Sequence, residues 1–288
     1  MKHGKSLYLF VVPGLLIYTL FFVFPTLNGL VLSFTEWDGF SEKTWVGLHN
    51  YEKMLFGDVI FMKALTNNLK FMLCVVVFQT LFSLIFAIMV ARNSKANIFY
   101  RAVYFFPTII SSIAVAFIWS FMFNPNVGVI NSVLSRIGMD MLSQNWLGDP
   151  KLAMYSIAFV QVWAHTGQMI VIFVAGIQSI PEELYEAVYL DGATKWQAFL
   201  NVTWPMVAPA ATIVVAYTTI QSFKAFDLIF ALTGGGPAYS TEILSTYIYH
   251  TAFQGSEFGY AAAQSMGFMV IIAVITLGQF KLLRNRAV

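Results

Sequence analysis

Pro181-Glu182-Glu183-Leu184-Tyr185-Glu186-Ala187-Val188-Tyr189-Leu190-Asp191-Gly192-Ala193 is an acidic island between two long apolar runs, and Pro205 and Pro209 follow it where the second run begins. Glu182, Glu183, Glu186 and Asp191 stand there against a single base, Lys195. Such a cluster belongs in water, so the apolar runs on either side must end at it. Pro181 suits a first helical turn, and Glu182 and Glu183 favour the positive end of the helix dipole, so a short helix should begin here. Gly192 should close it, because a residue without Cβ takes positive φ at little cost. Thr194 with Gln197 three residues later is a capping-box pattern, which predicts a second short helix reaching about Val202. Two short helices joined at Asp191-Gly192 make a compact knob within residues 179–205.

Outward from the knob the chain is apolar. Hydrophobic residues make up 58% and charged residues 10% of its 288 positions, with a mean hydropathy of +0.71, against roughly 45–50% apolar and about 25% charged in soluble domains. A span needs ~20 apolar residues, and runs of that order occupy 8–32, 69–91, 102–123, 152–177, 206–231 and 260–283. The expectation is one all-α, polytopic membrane domain over residues 1–288, with six transmembrane helices. Pro13, Pro25, Pro107 and Pro209 fall at or near span ends, and Pro13 and Pro25 are placed to kink the first helix. Met1-Lys2-His3-Gly4-Lys5 is basic, but no small-x-small cleavage pattern follows, so the first run reads as an uncleaved span. The lone Cys74 can form no intrachain disulfide, and a formal charge of +2 makes no case for nucleic acid.

Lys and Arg of short loops mark the cytoplasmic side. Lys2, Lys5, Arg92, Lys95, Arg101, Lys195, Lys281, Arg284 and Arg286 fall on one side; Lys43, Lys53, Lys63, Arg136 and Lys151 are spread more thinly over the other, with Lys70 at a membrane edge. Both termini, and with them the acidic island, are therefore expected inside. An acidic loop on that side needs a reason. Docking supplies one: Leu184, Tyr185, Val188, Tyr189 and Leu190 could fill a cleft on a soluble partner. A helix lying on headgroups would instead be rich in Lys and Arg on its polar face.

No GxxxxGK[ST] phosphate loop occurs, and Gly234-Gly235-Gly236-Pro237 lacks the Lys and Ser/Thr such a loop needs, so it reads as a tight turn. HExxH, CxxC and GxSxG are absent and the four His residues are scattered. The expectation is a chain that is not an enzyme, with no catalytic residue, metal set or cofactor of its own. Polar groups inside spans usually face a cavity or another helix. Gln161, His165 and Gln168 recur on one helical face, as do Thr218, Gln221 and Ser222. These groups suit sugar hydroxyls, with Trp163, Phe223 and Phe226 near enough in sequence to offer ring faces. The plainer role is interhelical hydrogen bonding at about 0.6 kcal/mol per contact, the commoner one for any such residue taken alone, His165 included. Lys224 and Asp227, at i and i+3, are placed either to pair with one another or to lie toward the outer membrane boundary.

The acidic island resembles the EAA loop of importer-type ABC permeases, with Glu186-Ala187 and Asp191-Gly192-Ala193 at the family's spacing and Val188 in place of its second alanine. Trp45-Val46-Gly47-Leu48-His49-Asn50-Tyr51, Phe226-Asp227 through Leu232-Thr233-Gly234-Gly235-Gly236-Pro237, and Gly259-Tyr260-Ala261-Ala262-Ala263 resemble further motifs of the maltose-type, carbohydrate-uptake permeases, in the same order. The resemblance implies a permease of a prokaryotic cytoplasmic membrane in which Glu186, Ala187, Asp191, Gly192 and Ala193 seat in a groove of an ATPase subunit. It implies ATP and Mg on that partner ATPase dimer, a second permease completing a heterodimer, and an extracytoplasmic binding protein that delivers a sugar or oligosaccharide to a path along Gln161, His165, Gln168, Thr218, Gln221 and Ser222. A glycerol 3-phosphate permease of the same type would want unpaired cations facing the path, and only Lys224 qualifies. An ion-coupled carrier would want intramembrane carboxylates, broken helices or internal repeats, and Asp227 alone is thin support.

Overall fold

The computed structural model describes residues 4–284, with side chains for 10–281. Of the basic residues used for orientation, Lys2 and Arg286 lie outside the described residues, as do the side chains of Lys5 and Arg284. α1 (Gly4–Tyr18) continues through a π-turn, Thr19–Val23, into α2 (Phe24–Leu32). A short antiparallel hairpin follows, β1 (Thr35–Glu36) and β2 (Thr44–Trp45), with Thr35 opposite Trp45. Then come α3 (His49–Glu52), α4 (Val59–Val90), α5 (Lys95–Ile109), α6 (Ser112–Met122), α7 (Val129–Arg136) and α8 (Ala153–Gln178). The acidic island forms α9 (Glu182–Leu190) and α10 (Lys195–Ala198), and α11 (Trp204–Phe223), α12 (Phe226–Thr233), α13 (Leu244–Tyr249) and α14 (Phe258–Arg284) complete the chain.

Among the described residues five helical stretches are long and apolar enough to cross a membrane: Phe10–Leu32, Val59–Val90, Ala153–Gln178, Lys195–Phe223 and Phe258–Lys281. The pair α5 and α6, bent by 95° at its break, makes the sixth if taken as one span. Three expectations need correction. The second span begins at Val59 rather than 69, because Lys63, Asn67 and Asn68 interrupt the apolar pattern without interrupting the helix. Lys63 donates to the Ala238 carbonyl at 2.7 Å, and Asn67 Nδ2 donates to the carbonyls of Tyr239 and Glu242 at 2.9 and 3.0 Å.

The third span is no straight rod over 102–123. Pro107 lacks a backbone N–H, the helix stops at Ile109, and Ser111 caps α6 by accepting from the Ala114 N–H at 3.3 Å. The fifth ends at Phe223 rather than 231, with α12 a separate helix. The expected second short helix of the knob is the first turns of that span, since α10 runs through a π-turn, Phe199–Thr203, into α11. Pro205 follows this π-turn as Pro25 follows Thr19–Val23. In both places one wide turn accommodates the missing donor, and the helix continues.

The chain packs as two compact units, residues 1–62 with 247–271 and residues 63–246 with 272–288. In the first, Asn50 donates to the Ser33 and Thr35 carbonyls, both at 2.9 Å. Asp58 Oδ2 accepts from the hydroxyls of Tyr247 at 2.7 Å and Tyr260 at 2.6 Å. Burial, and then that carboxylate, push the Tyr247 hydroxyl pKa up. In the second unit α8 is the axis. Its Gly167 meets the backbone of α5 so closely that a Cβ would collide with the Tyr104 carbonyl, and Thr108 donates to the Ala164 carbonyl at 2.8 Å across the same contact. Small residues permit such approach, and between apolar helices in lipid, close packing is a principal source of attraction.

Candidate functional site

A cavity of about 320 Å³ opens beside α8 in the second unit. α8 contributes Gln161 and His165, α11 contributes Tyr217, Ile220 and Gln221, and Lys224, Ala225, Asp227 and Leu228 follow at the break into α12. Ser112 enters from the break between α5 and α6. Gln161 is buried. Gln221 lines the cavity, and its Oε1 is buried with no protein hydrogen-bond donor.

Gln161, His165 and Gln221 are thus brought together. Gln168 is displaced from the wall and donates to the Tyr217 hydroxyl at 3.0 Å, which steadies a ring that does line it. Thr218 and Ser222 are fully buried and do not line it; Ser222 Oγ donates to the Thr218 carbonyl at 2.8 Å. The facing stripe of α11 is Tyr217 and Gln221, continued by Lys224 just past its end and one position round the helix from Thr218 and Ser222, because the helix turns its small hydroxyl residues toward its neighbours. Of the two alternatives for Lys224 and Asp227, pairing is not the one adopted. Both side chains are exposed and line the cavity without an ion pair between them. Sequence reasoning missed Ser112 and Tyr217. The signal for Ser112 was Pro107 ahead of Ser111-Ser112, a helix stop in mid-run.

At the other end of α8 the acidic island forms a rigid projection. Pro181 is the N-cap of α9 rather than part of its first turn, and Glu182 and Glu183 lie in that turn. Gly192, at φ +77°, closes α9 in a Schellman arrangement: its N–H donates to the Tyr189 carbonyl and the Ala193 N–H to the Val188 carbonyl, both at 3.1 Å. The Thr194–Gln197 capping box is complete. Glu186, Ala187, Asp191 and Gly192 are exposed, and Ala193 is half-buried. The five apolar residues divide. Tyr185 and Val188 pack inward, with the Tyr185 hydroxyl 2.9 Å from Thr203 Oγ1, so they are not available to a partner. Leu184, Tyr189 and Leu190 remain outside, Leu190 at 88% exposure.

The base of the projection is clamped. Arg101 donates to the Val90, Ala91 and Arg92 carbonyls at 2.6–3.2 Å, capping the C-terminus of α4. Gln178, in the last turn of α8, donates to the same Ala91 carbonyl at 2.7 Å and to Asn93 Oδ1 at 3.0 Å. The Arg101 bonds are charge-assisted, a kind that contributes about 1.5–3 kcal/mol each, whereas neutral bonds such as those of Gln178 contribute about 0.5–1.5 kcal/mol.

Membrane-crossing helices, a cavity lined largely by polar side chains and an acidic projection at one end of α8 are features of an importer-type ABC permease, a transport subunit rather than an enzyme, and the family match and curated relatives place the chain in that class. The chain belongs to the family of binding-protein-dependent transport system inner membrane components, whose pattern matches residues 79–284. It is 39% identical over 281 residues to the probable ABC transporter permease protein YurN of Bacillus subtilis (strain 168), covering 96% of each chain. It is 35% identical over 274 residues to the multiple sugar-binding transport system permease protein MsmF of Streptococcus mutans serotype c, covering 95% of this chain and 93% of that one. A chain in the crystal structure of a bacterial alginate ABC transporter in complex with an alginate pentasaccharide-bound periplasmic protein has the same fold, with TM-score 0.84 and 25% identity over 99% of this chain and 96% of that one. The broken α5–α6 pair, a feature also expected of ion-coupled carriers, here belongs to a binding-protein-dependent permease.

Proposed function

We propose that this chain is one transmembrane subunit of an ATP-driven importer for a neutral sugar or oligosaccharide handed over by an extracytoplasmic binding protein. A second, different permease completes the pathway, and a separate ATPase dimer holds ATP and Mg. The observation that carries this reading is the exposed projection of Glu186, Asp191 and Gly192 with Leu184, Tyr189 and Leu190, held on the helix that also lines the polar cavity. ATP-driven closure of the ATPase would push the projection, and α8 would carry the push to the wall at Gln161 and His165, giving alternating access. Arg92, Lys95, Arg101 and Lys195 flank the projection and support its placement in the cytoplasm. Amide, imidazole and phenol groups on the cavity wall suit hydroxyl groups, which supports a neutral cargo.

Glu186→Lys, or Gly192 replaced by a bulky residue, is expected to abolish solute-stimulated ATP hydrolysis and uptake while membrane insertion and the amount of complex stay normal. Normal uptake in both variants would overturn the reading.

A further inference from the structure

We propose that residues 129–142, at the end of α8 opposite the acidic projection, form a lipid-binding surface whose apolar side chains are set into the outer leaflet. Val133, Ile137, Met139, Met141 and Leu142 are all exposed there, Met141 at 94%. Isolated exposed apolar side chains are ordinary, but a contiguous group in a connecting segment marks a docking or membrane surface.

The surface is built rather than loose. Asn131 at its base satisfies both ends of its amide: Nδ2 donates to the Pro125 and Gln144 carbonyls at 3.2 and 3.0 Å, and Oδ1 accepts from the Trp146 indole at 2.8 Å. Gly138, at φ +76°, closes α7 with the Met139 N–H on the Leu134 carbonyl at 2.8 Å, which sets the direction of the chain toward Met141. Ile130 at the start of α7 packs inward on the core, whereas Val133 and Ile137, further along the same apolar stripe, are left uncovered by the fold.

Its occupant follows from what it adjoins. Beside α7 lies an apolar cavity of about 350 Å³ walled by Phe123, Ile130, Trp146, Leu152, Tyr155 and Phe159. Ile130 of α7 shares this cavity with Tyr155 and Phe159, which are exposed on the first turns of the membrane-crossing α8, so α7 adjoins a surface already in the bilayer. Trp and Tyr at such a level are the usual interfacial side chains. Within residues 129–151, Arg136 and Lys151 are equalled in number by Asp140 and Asp149, so the segment carries no net charge and asks for no anionic headgroup.

The test uses the full chain with Cys74→Ser in nanodiscs of zwitterionic phospholipid, spin-labelled at Val133→Cys, Ile137→Cys or Met141→Cys, with Ser135→Cys as control. Collisions with oxygen are expected to exceed those with an aqueous nickel chelate at the first three positions and to fall below them at 135. Nickel dominating at 137 and 141 would overturn the proposal, as would shielding that develops only when a binding protein is added, which would make the patch a protein-docking surface. Should the cysteine variants fail to insert, phosphatidylcholine brominated on its acyl chains is expected to quench the unmodified chain more than Trp146→Phe, and equal quenching of the two would count against the proposal.

Discussion

At the scale of single residues, two backbone details carry consequences that can be measured. Gly192 takes a conformation that costs an L side chain roughly 1–2 kcal/mol, and nothing lies near its missing Cβ. Gly192→Val should therefore strain the α9–α10 corner without a steric clash, fraying α9. Faster amide exchange at Val188 to Ala193, with unchanged exchange in α8, is the expected result. Asp38 is the second. The N–H groups of Ser41 and Phe40 donate to its carboxylate and hold its pKa down from 3.8 to about 2. A depressed carboxylate contributes order that is present above the unfolded value and lost as pH falls through the folded one. The turn at Asp38 to Ser41 should thus keep its protected Phe40 and Ser41 amides at pH 4 and lose them toward pH 2, as NMR or exchange would show. The conformation of Gly192 was legible in the sequence because a glycine after an acidic amphipathic run has few other uses. The burial of Thr218 and Ser222 was not, since periodicity defines a stripe but not the neighbour it faces.

At the scale of elements, the apolar runs announced the helices but not their ends. Lys63 and Asn67 read as a boundary in the sequence, yet long-range bonds to residues 238–242 keep them inside α4. Hydropathy counts polar atoms without knowing which will be satisfied. The 95° bend between α5 and α6 was hidden for a related reason, because the break stays apolar on both sides. The contact of α5 with α8 is the tightest test of packing. Gly167→Val would drive a side chain into the Tyr104 carbonyl, and overpacking of this kind typically costs about 1–3 kcal/mol. A lowered melting temperature of the purified chain in detergent is expected. The cap on α4 gives a prediction of another kind. Arg101→Lys keeps the charge but loses the planar fork that reaches several carbonyls at once, so it should raise amide exchange at Ala91 to Ser94 nearly as much as Arg101→Ala does. If Lys restored wild-type protection, charge alone would explain the cap.

At the scale of the whole molecule, the cavity and the acidic projection are separable parts joined by one element. α8 is unbroken over 26 residues, and from His165 to Gln178 it covers about 20 Å at 1.5 Å per residue. Glu186 and Asp191 touch nothing in the cavity, and Gln221 touches nothing at the projection. A Gln221→Leu variant should accordingly change which solute is moved, or with what KM, while ATP hydrolysis remains dependent on loaded binding protein. Glu186→Lys should instead abolish the dependence of ATP hydrolysis on loaded binding protein, and uptake with it. Replacing Lys224, which lines the cavity, then tests the charge of the proposed cargo. Two unit charges 4 Å apart interact by about 1 kcal/mol in water and about 4 kcal/mol at an effective dielectric of 20. An anionic solute held near this exposed ammonium would therefore lose several-fold to a thousand-fold in affinity on Lys224→Gln. With a neutral sugar the ammonium is only one hydrogen-bond donor at an exposed position, and a glutamine can replace it. Uptake of the cognate sugar by Lys224→Gln within about threefold of the unmodified chain is the expected outcome, an exposed charge being worth about 0–1 kcal/mol in such settings. A loss of fiftyfold or so, well outside that range, removed again by Asp227→Asn, would mean that repulsion from Asp227 had been masked by Lys224 and that the cargo carries negative charge.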